Sequence, residues 1–314
     1  MKILVIKLGA LGDFVLAFAS FAAIRAHHQL ADITLLTTAP FASLGRAAPW
    51  FDRVEIDPRP PWWHLAGLWR LRQALHGFDF VYDLQTSGRS SRYFHLAGRP
   101  AWSGIASGAS HPHANAARNA MHTLDRQRDQ LEAAGLATFP APDLAWLTGQ
   151  GPDIPAPYAL LAPGSAPHRP EKRWPAERFA ALASRLHAQH IRPVVIGAAQ
   201  DRPLAEIIRA HCAEALDLTG RTSLPELGGL AARAALAIGN DTGPMHLAAT
   251  VGCRSIVLFS GASDPALTAP RGPDPATVTV LREPNLADLP LERVAACLAE
   301  RHECHPSNHS AESS

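Results

Sequence analysis

One pattern constrains this chain more than any other: short apolar runs alternate with longer amphipathic stretches, and the alternation occurs twice. In the first half the runs are KILVIKL (2–8), DITLLTT (32–38), RVEID (53–57), DFVYDLQ (79–85) and AWSGI (101–105). In the second half they are YALLAP (158–163), RPVVIG (192–197), ALDLTG (215–220), LAIGND (236–241), SIVLFSG (255–261) and VTVL (278–281). Their length, and the Val, Ile and Leu content of most of them, suit strands covered on both faces of a parallel sheet. The stretches between have helical spacing; in 176–189, Phe179, Leu182, Ala183 and Leu186 fall on one face. Strand–helix alternation of this kind predicts an α/β protein with doubly wound parallel sheets.

Between the two sets lies TGQGPDIPAPY (148–158), whose three prolines and two glycines read as a linker. The expected organisation is therefore one domain over 1–150, a second over 151–302, and a polar, disordered tail over 303–314. Two such domains facing each other enclose a cleft between the carboxyl ends of their sheets, where ligands bind in such folds.

Composition narrows the partner classes. With 47% hydrophobic and 18% charged residues, the 314-residue chain is globular and long enough for two cores. A formal charge of +1 supplies no general cationic surface for a nucleic-acid backbone, so that partner is excluded. Cys212, Cys253, Cys297 and Cys304 form no C-x-x-C pair, which argues against a disulfide framework or a zinc site and for a reducing cytoplasm. Lys7, Gly9 and Gly12 break the opening apolar run where a signal helix would continue. No run approaches the ~18 apolar residues of a membrane span.

The chemistry concentrates in loops that follow strands. The first strand ends in KLGALGD, with Gly9, Gly12 and Asp13 in the spacing G-x-x-G-D. This is neither a Walker A loop nor a dinucleotide fingerprint, although Asp32 would suit the acidic position of the latter. Asp13 reads either as a helix cap or as a carboxylate poised to take a proton from an acceptor hydroxyl. In GNDTGPMHLAAT (239–250), Asn240, Asp241, Thr242 and Gly243 follow a strand and Pro244 opens a helix. The free N–H groups of that helix end suit a phosphate or diphosphate, with His246 one turn on. A third loop, APGSAPHRPEKRWP (162–175), brings Ser165, His168, Arg169, Lys172 and Arg173 to the same edge, hydroxyls and cations that suit a diphosphate. In GAAQDRP (197–203), Gln200 or Asp201 suits a ribose or base.

Together, KILVIKLGALGD, K-R-W-P with its following helix, GNDTGPMHLAAT and SIVLFSGASDP (255–265) resemble glycosyltransferase family nine, the ADP-heptose:lipopolysaccharide heptosyltransferases. The resemblance covers nearly the whole chain. It implies the GT-B fold, two Rossmann-like domains with an interdomain cleft. It also implies an inverting, metal-independent transfer of a heptose or related sugar, without cofactor, from a nucleotide-diphosphate donor such as ADP-heptose to an inner-core lipopolysaccharide hydroxyl. Residue by residue, Asp13 matches the family's proposed catalytic base and Lys172 the lysine that contacts donor phosphate. Asp241, Thr242, Gly243 and His246 match the donor-binding turn. Ser165 and Asp201 match the donor side more loosely, Lys7 a basic position of the first strand.

An anionic acceptor calls for cations on the first domain. The candidates are Arg89 and Arg92, which follow the fourth strand in DLQTSGRSSR, together with Gly12 of the first loop; Arg70 and Arg72 lie in a nearby segment and Arg118 later. Trp62, Trp63 and Trp69 next to arginines suit a peripheral contact at the inner face of the inner membrane, or else simply pack an outer helix. His27, His28, His111 and His113 lack the carboxylate or cysteine spacing of a metal site. Competing readings are a related transferase with another donor or acceptor, a sugar-nucleotide epimerase, and a nucleotide-sugar-binding protein in which Asp13 is only a cap.

Overall fold

A computed structural model describes residues 1–299, which form two six-stranded sheets. The first contains β1 (Lys2–Ile6), β2 (Asp32–Thr37), β3 (Arg53–Ile56), β4 (Phe80–Asp83), β5 (Ala101–Gly104) and β6 (His111–Pro112), ordered β3-β2-β1-β4-β5-β6. The second contains β7 (Tyr158–Ala162), β8 (Arg192–Val195), β9 (Leu216–Asp217), β10 (Leu236–Asn240), β11 (Ser255–Phe259) and β12 (Val278–Arg282), ordered β12-β11-β10-β7-β8-β9. Every neighbouring pair is parallel. Counted from its own first strand, each sheet has the order 3-2-1-4-5-6 of a dinucleotide-binding fold. Every apolar run named above forms a strand. β6 has no counterpart among them: it is two residues long, and one is a proline.

The central strands β7, β10 and β11 are buried along their whole length, as expected of a parallel sheet covered on both faces. The helix Ala176–Ala188 shows how the cover forms. It begins directly after Pro175, and its buried stripe of Phe179, Leu182, Ala183 and Leu186 packs into a core with Leu161, Val195 and Ile238. Each large side chain buried there contributes ~1.5–3 kcal/mol. A second core, with Leu4, Ile6, Leu71, Tyr93 and Trp102, belongs to the first sheet.

A third core is continuous across both halves, joining Phe14, Phe18, Phe21 and Trp50 to Leu147, Leu230, Met245 and Leu247. Polar ties reinforce the junction. Arg233 donates to the carbonyls of Thr148, Gln150 and Pro152 in the proline-rich connection. Arg271 pairs with both carboxylate oxygens of Asp125 at 2.9 and 3.1 Å, and His122 Nε2 lies 2.9 Å from the Ala269 carbonyl. The two sheets thus sit in fixed apposition, with loops from their carboxyl ends on either side of one cleft. The tail expected over 303–314 lies outside the described residues.

Candidate active site

Each half contributes a short helix that starts just beyond a strand, Leu11–Val15 after β1 and Gly243–Thr250 after β10. The two helices touch at their glycines. A Cβ on Gly12 would lie 2.8 Å from the His246 ring, and one on Gly243 would lie 2.5 Å from Leu11 Cβ. Any side chain at these positions would hold the helices apart, so the two motif glycines are what bring the two halves together here.

Where they meet, a cavity of about 970 Å³ opens between the halves. Gly12 and Asp13 line it from the first half; Ser165, Lys172, Asp201, Asp241, Thr242, Gly243 and His246 line it from the second. All the donor-side residues expected from the sequence therefore share one wall, facing Asp13. Asp13 is half-buried in the first turn of its helix and has no hydrogen bond or ion pair among the described residues. Lys7 is buried below, with Nζ donating to the Leu84 carbonyl at 3.1 Å. Burial pulls its pKa down, and the nearby negative charge of Asp13 opposes that shift.

The second half is tightly organised. Lys172 Nζ donates to Asp241 Oδ2 at 2.6 Å, Ser263 Oγ donates to the same oxygen at 2.7 Å, and His246 Nε2 lies 3.7 Å from Oδ1. Burial opposes ionisation of Asp241, but the adjacent His246 ring and the hydrogen bonds from Lys172 and Ser263 outweigh it and hold the carboxyl down at about 2. The other ring nitrogen of His246, Nδ1, is buried without a partner among the described residues. Thr242 occupies the N-cap of the Gly243–Thr250 helix without a side-chain capping bond, leaving amides at that end open. Ser165 is engaged by its own loop: its hydroxyl donates to the Arg169 carbonyl and accepts from Arg173 Nε. Arg173 is thus a brace, whereas Arg169 reaches the cavity wall and His168 does not.

At the far end, Asp201 is buried and accepts from the Ala198 amide, and burial pushes its carboxyl upward. Gln200, Gly220, Thr222, Leu224 and Leu227 complete that end of the cavity. Thr222, Leu224, Leu227 and Ser263 escaped the sequence reading, as did Pro40 and Phe41 from the first half. Ser263 lies within the quoted SIVLFSGASDP turn; the others carry no local signal.

The arginines expected on the acceptor side lie on the first half. Arg89 and Arg92, on the helix Gly88–Leu96, lie outside the cavity wall, each with its guanidinium 5.1 Å from the Trp62 ring. Trp62 is accordingly half-buried between them and Tyr93, while Trp63 and Trp69 are exposed. Arg118 Nε approaches His113 Nδ1, and Arg72 caps the Leu96 carbonyl. The four histidines have ordinary partners: His113 binds Asp129, His111 binds Ser110, His28 binds Tyr82, and His27 packs on His28. Asp32 pairs with Arg53 at the edge of the first sheet.

A family model described as glycosyltransferase family 9 (heptosyltransferase) matches residues 68–298, about three-quarters of the chain. The chain belongs to glycosyltransferase family 9. The match includes every residue expected from the sequence to bind the donor and begins after Asp13. Lipooligosaccharide heptosyltransferase 2 of Haemophilus influenzae is 36% identical over 135 residues, which cover 41% of this chain and 38% of that protein. Lipopolysaccharide heptosyltransferase 2 of Escherichia coli is 34% identical over 119 residues, 36% of this chain and 34% of that one. These alignments span little more than a third of the curated relatives.

Across the fold the likeness is nearly complete. The structure of E. coli ADP-heptose lps heptosyltransferase II matches with a TM-score of 0.76 at 22% identity, over 95% of this chain and 97% of that one. E. coli heptosyltransferase WaaC with ADP matches with 0.79 at 22% identity, over 95% and 99%. The fold of this family 9 chain is therefore GT-B. Among its described residues no group of three His, Cys, Asp or Glu side chains is placed to hold a metal ion, and no helix is long and apolar enough to cross a membrane.

Proposed function

We propose that this chain is a heptosyltransferase, moving a heptose or related sugar from a nucleotide-diphosphate donor, ADP-heptose, to a hydroxyl of the lipopolysaccharide inner core. The observation that carries the reading is the opposition across one cavity of Asp13, a carboxylate with no partner among the described residues, and a wall that presents Lys172, Arg169 and the open amides of the Gly243–Thr250 helix.

The donor diphosphate lies against Lys172, Thr242 and the open amides of the Gly243–Thr250 helix, with Ser165 holding the loop in place. The nucleoside extends toward Asp201, Thr222 and Leu227. The acceptor enters from the first half beside Gly12 and Asp13, and Arg89 and Arg92 supply positive charge on that side. Asp13 takes the acceptor hydroxyl proton as the oxygen attacks the anomeric carbon. The bond from that carbon to the diphosphate oxygen breaks, and the nucleoside diphosphate leaves with both electrons. Lys172 and the helix end stabilise the charge that grows on it. One displacement inverts the anomeric centre. Protein groups supply the positive charge, so the reaction proposed is metal-independent. Cys212 and Cys253 are buried and carry no disulfide, which suits a cytoplasmic setting for it.

Incubation with ADP-heptose and heptose-deficient lipopolysaccharide tests the reading, with product followed by mass and anomeric configuration by NMR. Transfer with inversion is the expected result. Donor binding without transfer to any truncated core would leave a nucleotide-sugar-binding protein, and tighter binding of a UDP- or GDP-sugar would reassign the donor.

A further inference from the structure

We infer that the outer face of the first domain around Trp63, Leu65 and Trp69 docks on an anionic lipid bilayer. Seven large apolar side chains are exposed among the described residues, and four of them, Ile56, Trp63, Leu65 and Trp69, fall within one short stretch. Trp63 is 83% exposed, Leu65 77% and Trp69 63%. The helix Leu65–Leu75 explains the arrangement. Gly67, Leu71 and Leu75, four residues apart, are its buried stripe. At about 100° per residue, Leu65 and Trp69 fall on the opposite side, and Arg70 and Arg72 flank them on either hand. An apolar ridge bordered by arginines on a surface-lying helix is the arrangement of an interfacial helix, with tryptophan at headgroup depth.

Charge selects the occupant. From residue 58 to 124 the chain carries seven arginines, two aspartates and no lysine or glutamate, although its total charge is only +1. Asp83 is buried and Asp79 alone is exposed, so the arginines of this stretch remain in clear excess. Arg70 pairs with no carboxylate among the described residues. An anionic surface complements this face; a second copy of the chain would set like charges against each other. The face is also joined to the catalytic side. Arg59 Nη2 donates to the Leu8 carbonyl at 3.2 Å, at the head of the loop that leads to Asp13. Docking would therefore hold the first-half side of the cleft close to the lipid surface. The inference does not rest on the transfer reaction, because binding to vesicles requires neither donor nor turnover.

The test is co-sedimentation of the full chain with vesicles of phosphatidylethanolamine and phosphatidylglycerol, against vesicles of phosphatidylcholine alone. Expected are binding to the anionic vesicles, release by added salt, and a blue shift of tryptophan fluorescence. The double variant Trp63→Ser/Trp69→Ser should bind about tenfold more weakly and lose the shift. Arg70→Gln/Arg72→Gln should lose the dependence on anionic lipid. All four positions are exposed, so the thermal transition should stay in place. Failure of the wild type to sediment with anionic vesicles, or equal binding by the tryptophan double variant, overturns the inference. So does a concentration-dependent dimer that the same variant abolishes without any vesicle binding, which would make the second copy the occupant.

Discussion

β4 and β10 hold the same place in their two sheets, and they end differently. β10 ends in Asn240, whose amide is fully used: Oδ1 accepts from the Trp174 amide, and Nδ2 donates to the carbonyls of Pro163 and Gly164. One neutral side chain thereby fixes both ends of the loop that carries Ser165 and Lys172. β4 ends in Asp83, equally buried, whose Oδ1 accepts from the Gln85 and Thr86 amides while Oδ2 has no partner among the described residues. Burial raises that carboxyl to about 6. The second half is thus braced around a neutral amide before any ligand arrives. The first half keeps its charges, Asp83, Lys7 and Asp13, unpaired or only partly paired. A binding wall gains from being preformed; a group that must accept a proton must not already be committed to a partner.

The sharpest test of this division is Asp13→Asn. It should lower kcat by about 10²–10⁴ and leave the donor Kd, read by calorimetry, nearly unchanged; retained turnover would remove Asp13 as the base. Lys172→Ala should do the reverse, weakening donor binding ~10–100-fold through loss of a charge-assisted contact and exposure of the Asp241 charge. Unchanged donor affinity in that variant would break the assignment of the second half as the donor wall. Asp83→Asn addresses the contrast with Asn240 directly. A buried carboxyl with a raised pKa binds its proton more tightly folded than unfolded, so it costs stability as pH rises from about 4 through 6. Urea titrations should show the wild type falling relative to Asp83→Asn across that window, by on the order of 3 kcal/mol; a constant difference would mean Asp83 does not titrate there. Gly243→Ala tests the junction. Its Cβ would collide with Leu11, at ~1–3 kcal/mol of stability, and a melting temperature equal to wild type would show that the helices have room to part.

Much of this molecule is legible in one dimension, and the exceptions have physical reasons. LAIGND and SIVLFSG read as strands because burial on both faces demands unbroken apolar runs. His111–Pro112 does not, because a two-residue edge strand buries too little to leave a pattern. In the site, Asp13, Lys172 and Asp241 stand beside glycine and proline signals that mark strand-to-helix turns, so local sequence exposes them. Phe41, Leu224 and Leu227 reach the same cavity from elements with no such mark. The stacking of Arg89 and Arg92 on Trp62 has no local mark either, because it depends on where the 58–64 segment folds back.

The sequence by itself determined the two parallel sheets, their helical cover and the turns that hold the chemistry, because burial periodicity and turn residues are local properties written along the chain. Only the tertiary structure decided that Gly12 meets His246, that Ser263 and Lys172 share one oxygen of Asp241, and that Asp13 has no partner among the described residues. Those facts depend on distances between segments that are separated in the chain, 22 and 69 residues for the Asp241 contacts and far more for Gly12 and His246, and they are set by how the chain packs rather than by what neighbouring residues encode.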